Sequence, residues 1–542
     1  MDSSATTERP SLDVDAPPTR TILAALASLV VSIPVLVLLA QQLGSFGWFA
    51  ARSDPDRWAI PCCDYSALEL GTRAFLHGEQ WMGLYSRQGW RHPGPAPFLW
   101  DSLFRILPGH SFAEHQVAAV VLALLAIAAL LAFIWRRAST FAALAGSSVL
   151  ALWLVRFDVG MLREPWNPIA AMLWVAIFIV CASTFGSVPR SRRARWALLG
   201  ATVSGSMAAQ THASAMPIVV VGGVVVLVAA WRTRDSMAVR RNLLLAAAGA
   251  AVLWVLPLVD LVVGEHGLWR MFTVDEGSGG GFGWSDALRT MVQILGLGPA
   301  QQGVRLGPAS PYLPTASLTI AQLVGAIIGA ALGGYVLMRR RQHPRLAIAV
   351  MISFVGLMGT TLLLATSGSA FYPYLLLPVA MCGPMLWICG AIAIAEALLP
   401  RMSRITRATA SGVAIAALVV LGVIGIRELP TDTLLDRYAS PSLLDMERSI
   451  LDDCDAVPSH PIVYVQPGVD WTVALPLIAT IDRCAPVRIR TWESFLAGQG
   501  YDAPTSIERD SVWILPVDAL NFGKTEIASD GQVMVLVEPE LE

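Results

Sequence analysis

The residues best equipped for chemistry sit between the first and second hydrophobic spans. Asp64-Tyr-Ser-Ala-Leu-Glu69 opens a segment with helical spacing at Leu68, Leu70 and Phe75, and Gly89-Trp-Arg-His-Pro-Gly-Pro95 follows it. A carboxylate such as Asp64, placed at a membrane surface, can act as a general base. Glu69 projects from a different helix face. Arg91 and His92 precede Pro93-Gly94-Pro95, where the prolines hold the backbone extended and fix where two groups able to meet an anion point. Plainer roles exist for both elements. Asp64 also suits a helix N-cap, and the proline run also suits a rigid turn, with Trp81, Trp90 and Trp100 at headgroup depth.

More polar groups fall on the same side. The hairpin from Arg156 to Pro168 carries Arg156, Asp158, Arg163 and Glu164. Asn167 can cap the next span, with Pro168 at its first helical position. The four charges form either an ion-pair lattice or a site where Arg156 or Arg163 holds a phosphate and a carboxylate contacts a sugar. Gln210-Thr211-His212 ends the fifth span, where the histidine serves either a hydrogen bond within the bundle or that site. Asp260, Glu265 and His266 end the seventh span on this side too. Gly277-Ser-Gly-Gly-Gly281 lacks the lysine, strand and helix of a P-loop and reads as a mobile loop.

A many-helix membrane bundle must position these groups. The chain is 55% hydrophobic and only 14% charged, far from the roughly 25% charged of soluble domains. Eleven spans are predicted, near 21–44, 116–135, 140–156, 168–187, 197–215, 217–231, 243–263, 319–338, 346–366, 375–398 and 409–426. The least certain division falls between 197 and 231, where two short spans could be one kinked segment. Six arginine-bearing segments (9–20, 136–137, 190–195, 232–241, 339–345 and 401–407) fall on one side if the amino terminus is cytoplasmic, as the positive-inside rule requires. The expected layout is a cytoplasmic tail at 1–20, a transmembrane domain at 21–427 with outer loops at 45–115 and 264–318, and an extracytoplasmic α/β domain at 428–542. In that last domain short β-branched runs alternate with a helix-length segment. Net charge is −2, which predicts no nucleic-acid partner. Cys454 and Cys484 flank a piece of the outer domain, where a disulfide could persist.

The order and sidedness of these motifs resemble the C-type (GT-C) glycosyltransferase superfamily. Within it, the likeness is to actinobacterial membrane proteins akin to glycosyltransferase family 39 and to RgtA/B/C/D-like enzymes. The resembling residues are Asp64, His92-Pro93, Asn167-Pro168 and Gln210-Thr211-His212, over roughly residues 20–400. The family's Asp-Glu pair is Asp64-Tyr65 here, a departure that bears on whether a divalent cation (Mg²⁺ or Mn²⁺) is bound. Tyr374 to Pro378 resembles a late-span element, without the arginine that often precedes it.

The resemblance implies transfer of a sugar, with inversion, from a polyprenyl-phosphate donor to a cell-envelope glycan, lipid or protein at the outer face of the plasma membrane. Asp64 would be the base. Arg91, His92, Arg163 and His212 would hold the donor phosphate, and Glu69, Glu164, Asn167, Gln210 and Tyr372 would contact sugar or acceptor. These groups are expected to share one outer pocket. The rival readings are a lipid-linked glycan flippase or transporter, which would want ionisable groups near mid-membrane, and a non-catalytic cell-envelope scaffold.

Overall fold

Lipid offers no partner to backbone N–H and C=O groups, so long apolar runs fold as helices that satisfy themselves. The computed structural model describes residues 18–45, 60–86, 90–105, 112–136, 138–191, 193–264, 266, 268–270, 284–297, 318–366, 373–431, 439–466, 469–491, 511–516, 525–529 and 532–537. Its long helices are α1 (Pro18–Ser45), α4 (Ala113–Trp135), α5 (Thr140–Phe157), α6 (Asn167–Ser187), α7 (Ala194–Thr211), α8 (Met216–Arg232), α9 (Met237–Val263), α11 (Ile320–Met338), α12 (Pro344–Thr366), α13 (Cys382–Leu398) and α14 (Arg404–Arg427). Two short helices, α2 (Asp64–Leu76) and α3 (Ala96–Ser102), lie between α1 and α4 with a two-strand ribbon, β1 (Tyr85–Ser86) and β2 (Trp90–Arg91). An amphipathic helix, α10 (Trp284–Leu295), lies between α9 and α11.

Among the described residues ten helical segments are long and apolar enough to cross a membrane. The difference from the eleven expected is α7, which spends its 18 residues partly on Arg195, Ser204, Ser206, Gln210 and Thr211. It still packs against α6 and α9 inside the bundle. In lipid, helices gain no hydrophobic drive to associate and rely on close packing over small residues. Gly205 on α7 and Gly222 on α8 both face the Phe178 ring of α6, so a Cβ at either would collide with it. This is a multi-pass membrane protein whose outer faces are apolar, as at Leu244, Val252 and Ile405, each more than 70% exposed.

Two of the basic clusters meet at the α4–α5 turn. Arg20 Nη2 donates to the carbonyls of Trp135 (3.1 Å) and Ala138 (2.8 Å), and Arg345 Nη2 donates to that of Phe133 (2.6 Å). The starts of α1 and α12 therefore sit on the α4–α5 turn.

The tail forms the expected small α/β unit: α15 (Pro441–Asp452), β3 (Ile462–Val465), α16 (Trp471–Cys484), β4 (Arg488–Thr491), β5 (Ser511–Pro516), β6 (Thr525–Ser529) and β7 (Val533–Val537). The sheet order is β4-β3-β5-β7-β6; β3 runs parallel to β4 and β5, and β7 antiparallel to β5 and β6. All residues of β3 and β7 are buried, which explains their continuous apolar runs. Tyr464 and Trp513 stack with ring centroids 4.5 Å apart. Cys454 and Cys484 are joined by a disulfide.

This unit touches the segment between α1 and α4. The Ile60 N–H donates to Glu447 Oε1 at 3.3 Å, and the Thr480 hydroxyl donates to the same oxygen at 3.1 Å. Burial lifts the Glu447 carboxyl to about 8, although those two bonds and the Arg483 charge pull it down. The folded protein therefore holds a proton that the unfolded chain releases, and this group makes stability fall as pH rises from about 4.5 to about 8. Thermal unfolding in detergent should show Tm falling across that window, with the fall flattened in Glu447→Gln. An equally steep fall in the variant would refute the assignment.

Candidate active site

Asp64 begins α2. The cap position belongs to Cys63, whose φ of 76° lies where L-residues rarely go, and Cys62 and Cys63 are bonded to each other. The Asp64 carboxylate is thus not the helix cap. Its Oδ2 accepts the indole N–H of Trp166 at 2.7 Å. The next residue, Tyr65, is fully buried and donates its hydroxyl to Glu164 Oε2 at 2.8 Å. Two consecutive residues of α2 therefore grip the stretch that leads into α6. Trp166 continues the contact, its ring 5.4 Å from that of Tyr374 in the 3₁₀ turn Pro373–Val379.

His92 and His212 form a second cluster, with ring centroids 4.6 Å apart. His92 Nδ1 accepts the N–H of Ala213 at 3.3 Å, and His212 Nδ1 accepts that of Ser214 at 3.3 Å. A ring nitrogen that accepts carries no proton, so both imidazoles are neutral, with their proton on Nε2. Burial acts in the same direction. It pushes His92 down to about 3 and holds His212 well below the ordinary histidine range, with His92 adding to the effect. At these two positions the side chains offer N–H donors without positive charge.

The other expected residues separate by environment. Gln210 Nε2 donates to the Leu253 carbonyl at 2.8 Å, and its side chain lies where a Cβ on Gly94 would be, so it buttresses the His92 loop. Arg91, half-buried on β2, precedes His92 directly. Arg163, 3% exposed, ends the 3₁₀ turn Val159–Arg163 beside Glu164. Asp158 caps that turn by accepting the Gly160 N–H at 2.9 Å, and Arg156 Nε donates to the Leu297 carbonyl at 2.9 Å. Asn167 is the first residue of α6, with Trp166 at the cap position expected for Asn167. Asp260 is buried at the end of α9, whereas His266 is exposed. Tyr372, Glu265 and the 277–281 glycine run lie outside the described residues.

Glu69 has a different task from the one expected. Fully buried, it takes Arg73 Nε at 2.8 Å, Arg105 Nη2, and His115 Nε2 at 2.7 Å, with Arg483 Nη2 3.9 Å away. Burial alone would raise its carboxyl; Arg105, His115 and Arg483 outweigh that and hold it well below the usual range. His115 Nδ1 also meets Asp101 Oδ2 at 2.7 Å. A carboxylate so engaged is a structural hub and is not presented to a sugar.

A narrow cavity of about 20 Å³, enough for about one water, is lined by Leu68, Pro97, Asp101, Asn167, Trp174 and Thr211. These are neighbours of the expected residues. Asp64, His92, Arg163 and His212 do not line it. Two clusters, Asp64–Trp166 and His92–His212, instead flank the 373–379 turn, which packs against α6 and against the 213–215 turn. Among the described residues no group of three His, Cys, Asp or Glu residues is placed for a metal. Sequence reasoning passed over Trp166, Asp101 and His115. The available signal was the indole between Pro165 and Asn167-Pro168, since a buried Trp N–H needs an acceptor.

No protein-family model and no curated protein matches the sequence. Solved structures do match. ArnT from Cupriavidus metallidurans bound to undecaprenyl phosphate aligns over 94% of this chain and 97% of its own, at 14% identity and a TM-score of 0.53. The apo state of ArnT gives the same identity and TM-score over 93% and 97%. The arabinosyltransferase EmbB from Mycobacterium smegmatis aligns at a TM-score of 0.31, over 79% of this chain and 43% of its own, too distant to bear on the fold. The bundle and its C-terminal domain together therefore have a fold similar to that of ArnT.

Proposed function

We propose that this protein is a membrane glycosyltransferase that moves a sugar from a polyprenyl-phosphate donor to a cell-envelope acceptor on the outer face, with Asp64 as general base. The observation that carries the reading is the Asp64 carboxylate, oriented by Trp166 at the end of the bundle opposite the arginine clusters, in a chain with this fold. ArnT was solved with undecaprenyl phosphate, which supports a lipid-borne donor. With the arginine-rich end in the cytoplasm, the candidate site and the C-terminal domain lie outside.

In the displacement, the acceptor hydroxyl oxygen attacks the anomeric carbon on the face opposite the phosphate. Asp64 takes the hydroxyl proton. The bond from the anomeric carbon to the phosphate oxygen breaks, and polyprenyl phosphate leaves, so the configuration inverts. Arg91 and Arg163 supply positive charge for the departing phosphate, and the neutral His92–His212 pair supplies Nε2–H donors. Fixed donors aimed at developing charge are commonly the largest catalytic term. Glu164 braces Tyr65 and hence α2, and Asn167 stands at the neighbouring cavity. A transporter would place its ionisable groups near mid-membrane; here they gather at one end.

The reaction is read by incubating purified protein with radiolabelled polyprenyl-phosphate sugars and membrane extract. Asp64→Asn should slow transfer by about 10²–10⁴ while expression and Tm stay unchanged. Full activity in that variant would remove Asp64 from the mechanism. Trp166→Phe keeps a ring against Tyr374 but loses the N–H, and should cost about tenfold, as expected for one hydrogen bond to a charged group. Since His92 is held at about 3, neither histidine should ionise between about pH 5 and 8. The rate profile should carry no histidine limb there, and His92→Gln should leave its shape unchanged. A limb near pH 6.5 that disappears in His92→Gln would contradict the neutral assignment.

A further inference from the structure

The segment that carries Asp64 is held on both sides by the C-terminal domain. Four residues before Asp64, the Ile60 N–H donates to Glu447 Oε1 at 3.3 Å. Beyond it, Glu69 and Arg73 stand one helical turn apart on α2 and face two adjacent residues at the end of α16. Arg73 Nη1 donates to the Asp482 carbonyl at 3.1 Å and to its Oδ2 at 3.2 Å; Arg483 Nη2 lies 3.9 Å from Glu69 Oε1.

The contact is anchored within the domain. Asp482 Oδ1 accepts the Val487 N–H at 3.1 Å, and Cys484, the next residue after Arg483, is bonded to Cys454. Glu447 is tied to α16 through Thr480. Ion pairs between exposed side chains contribute little. This seam is different: Glu69, Arg483 and Glu447 are almost wholly buried, where breaking one partner is costly.

We infer that the C-terminal domain is a positioning element for Asp64: Glu447 and the Asp482–Arg483 pair clamp the segment 60–73 from both sides and hold the carboxylate on Trp166. This rests on the proposed transferase reading for its effect on rate, although the clamp itself is independent of it. None of the three clamp residues touches substrate. A displacement of about 1 Å at a reacting group can cost on the order of 100-fold in rate, so loosening the clamp should lower kcat and leave KM nearly unchanged.

The test combines hydrogen–deuterium exchange of the full-length protein in detergent with transfer kinetics. Asp482→Ala should raise exchange in peptides covering 60–76, cut kcat about tenfold with KM within about twofold, and leave the unfolding midpoint of the membrane bundle in place. Asp482→Glu should restore much of both. Should Asp482→Ala not accumulate, Asp482→Asn removes the carboxylate that Arg73 meets while keeping the side chain's size and the Arg73–Glu69 pair, and should shift both readouts in the same direction. Unchanged exchange at 60–76 in either variant overturns the inference, as does a kcat loss that merely tracks a global loss of folded protein. If the wild-type chain shows no transfer at all, the transferase reading fails, while the exchange result still decides whether the clamp exists.

Discussion

A carboxylate taken completely out of water must be compensated, and Glu69 has no solvent exposure. The compensation comes from four places in the chain: Arg73 on the same helix, Arg105 after α3, His115 on α4 and Arg483 on α16. Removing one member of such a set typically costs about 3–5 kcal/mol, because the remaining charge stays buried. One charge therefore ties α2 to the bundle and to the C-terminal domain. It also fixes the axis of α2, whose first residue is Asp64.

From that axis the rest of the mouth follows. Asp64 and Tyr65, successive residues at the start of α2, reach Trp166 and Glu164, and so lock α2 onto the entrance of α6. On the other flank, His92 sits after a two-strand ribbon and in front of Gly94, whose missing Cβ leaves room for Gln210. The histidines pay for their burial by remaining neutral. Of the residues expected to meet a phosphate, Arg91 and Arg163 are then the charged ones.

The membrane fold was legible in the sequence because apolar length is a strong, one-dimensional signal. The strands at 462–465, 512–515 and 533–537 were equally plain, since a fully covered sheet leaves continuous β-branched runs. α7 was harder to read, because its outer half trades apolar residues for Ser206, Gln210 and Thr211. Within the site, Asp64, His92, Asn167 and His212 were legible as candidates from their types and their order along the chain. Their partners were not. That Glu69 would be captured by Arg105 and His115, or that Asp64 would meet Trp166 102 residues away, depends on three-dimensional packing that no local spacing encodes. The bond between Cys62 and Cys63 was missed for another reason: reading the cysteines for metal or long-range pairs passes over neighbours.

The most direct measurement is a structure of the protein with a polyprenyl phosphate bound. The account predicts the phosphate within hydrogen-bond reach of the His92–His212 pair or of Arg91 or Arg163, with Asp64 facing the side from which an acceptor would approach. A lipid phosphate seated at the arginine-rich end, or on a surface that Asp64 cannot reach, would contradict it.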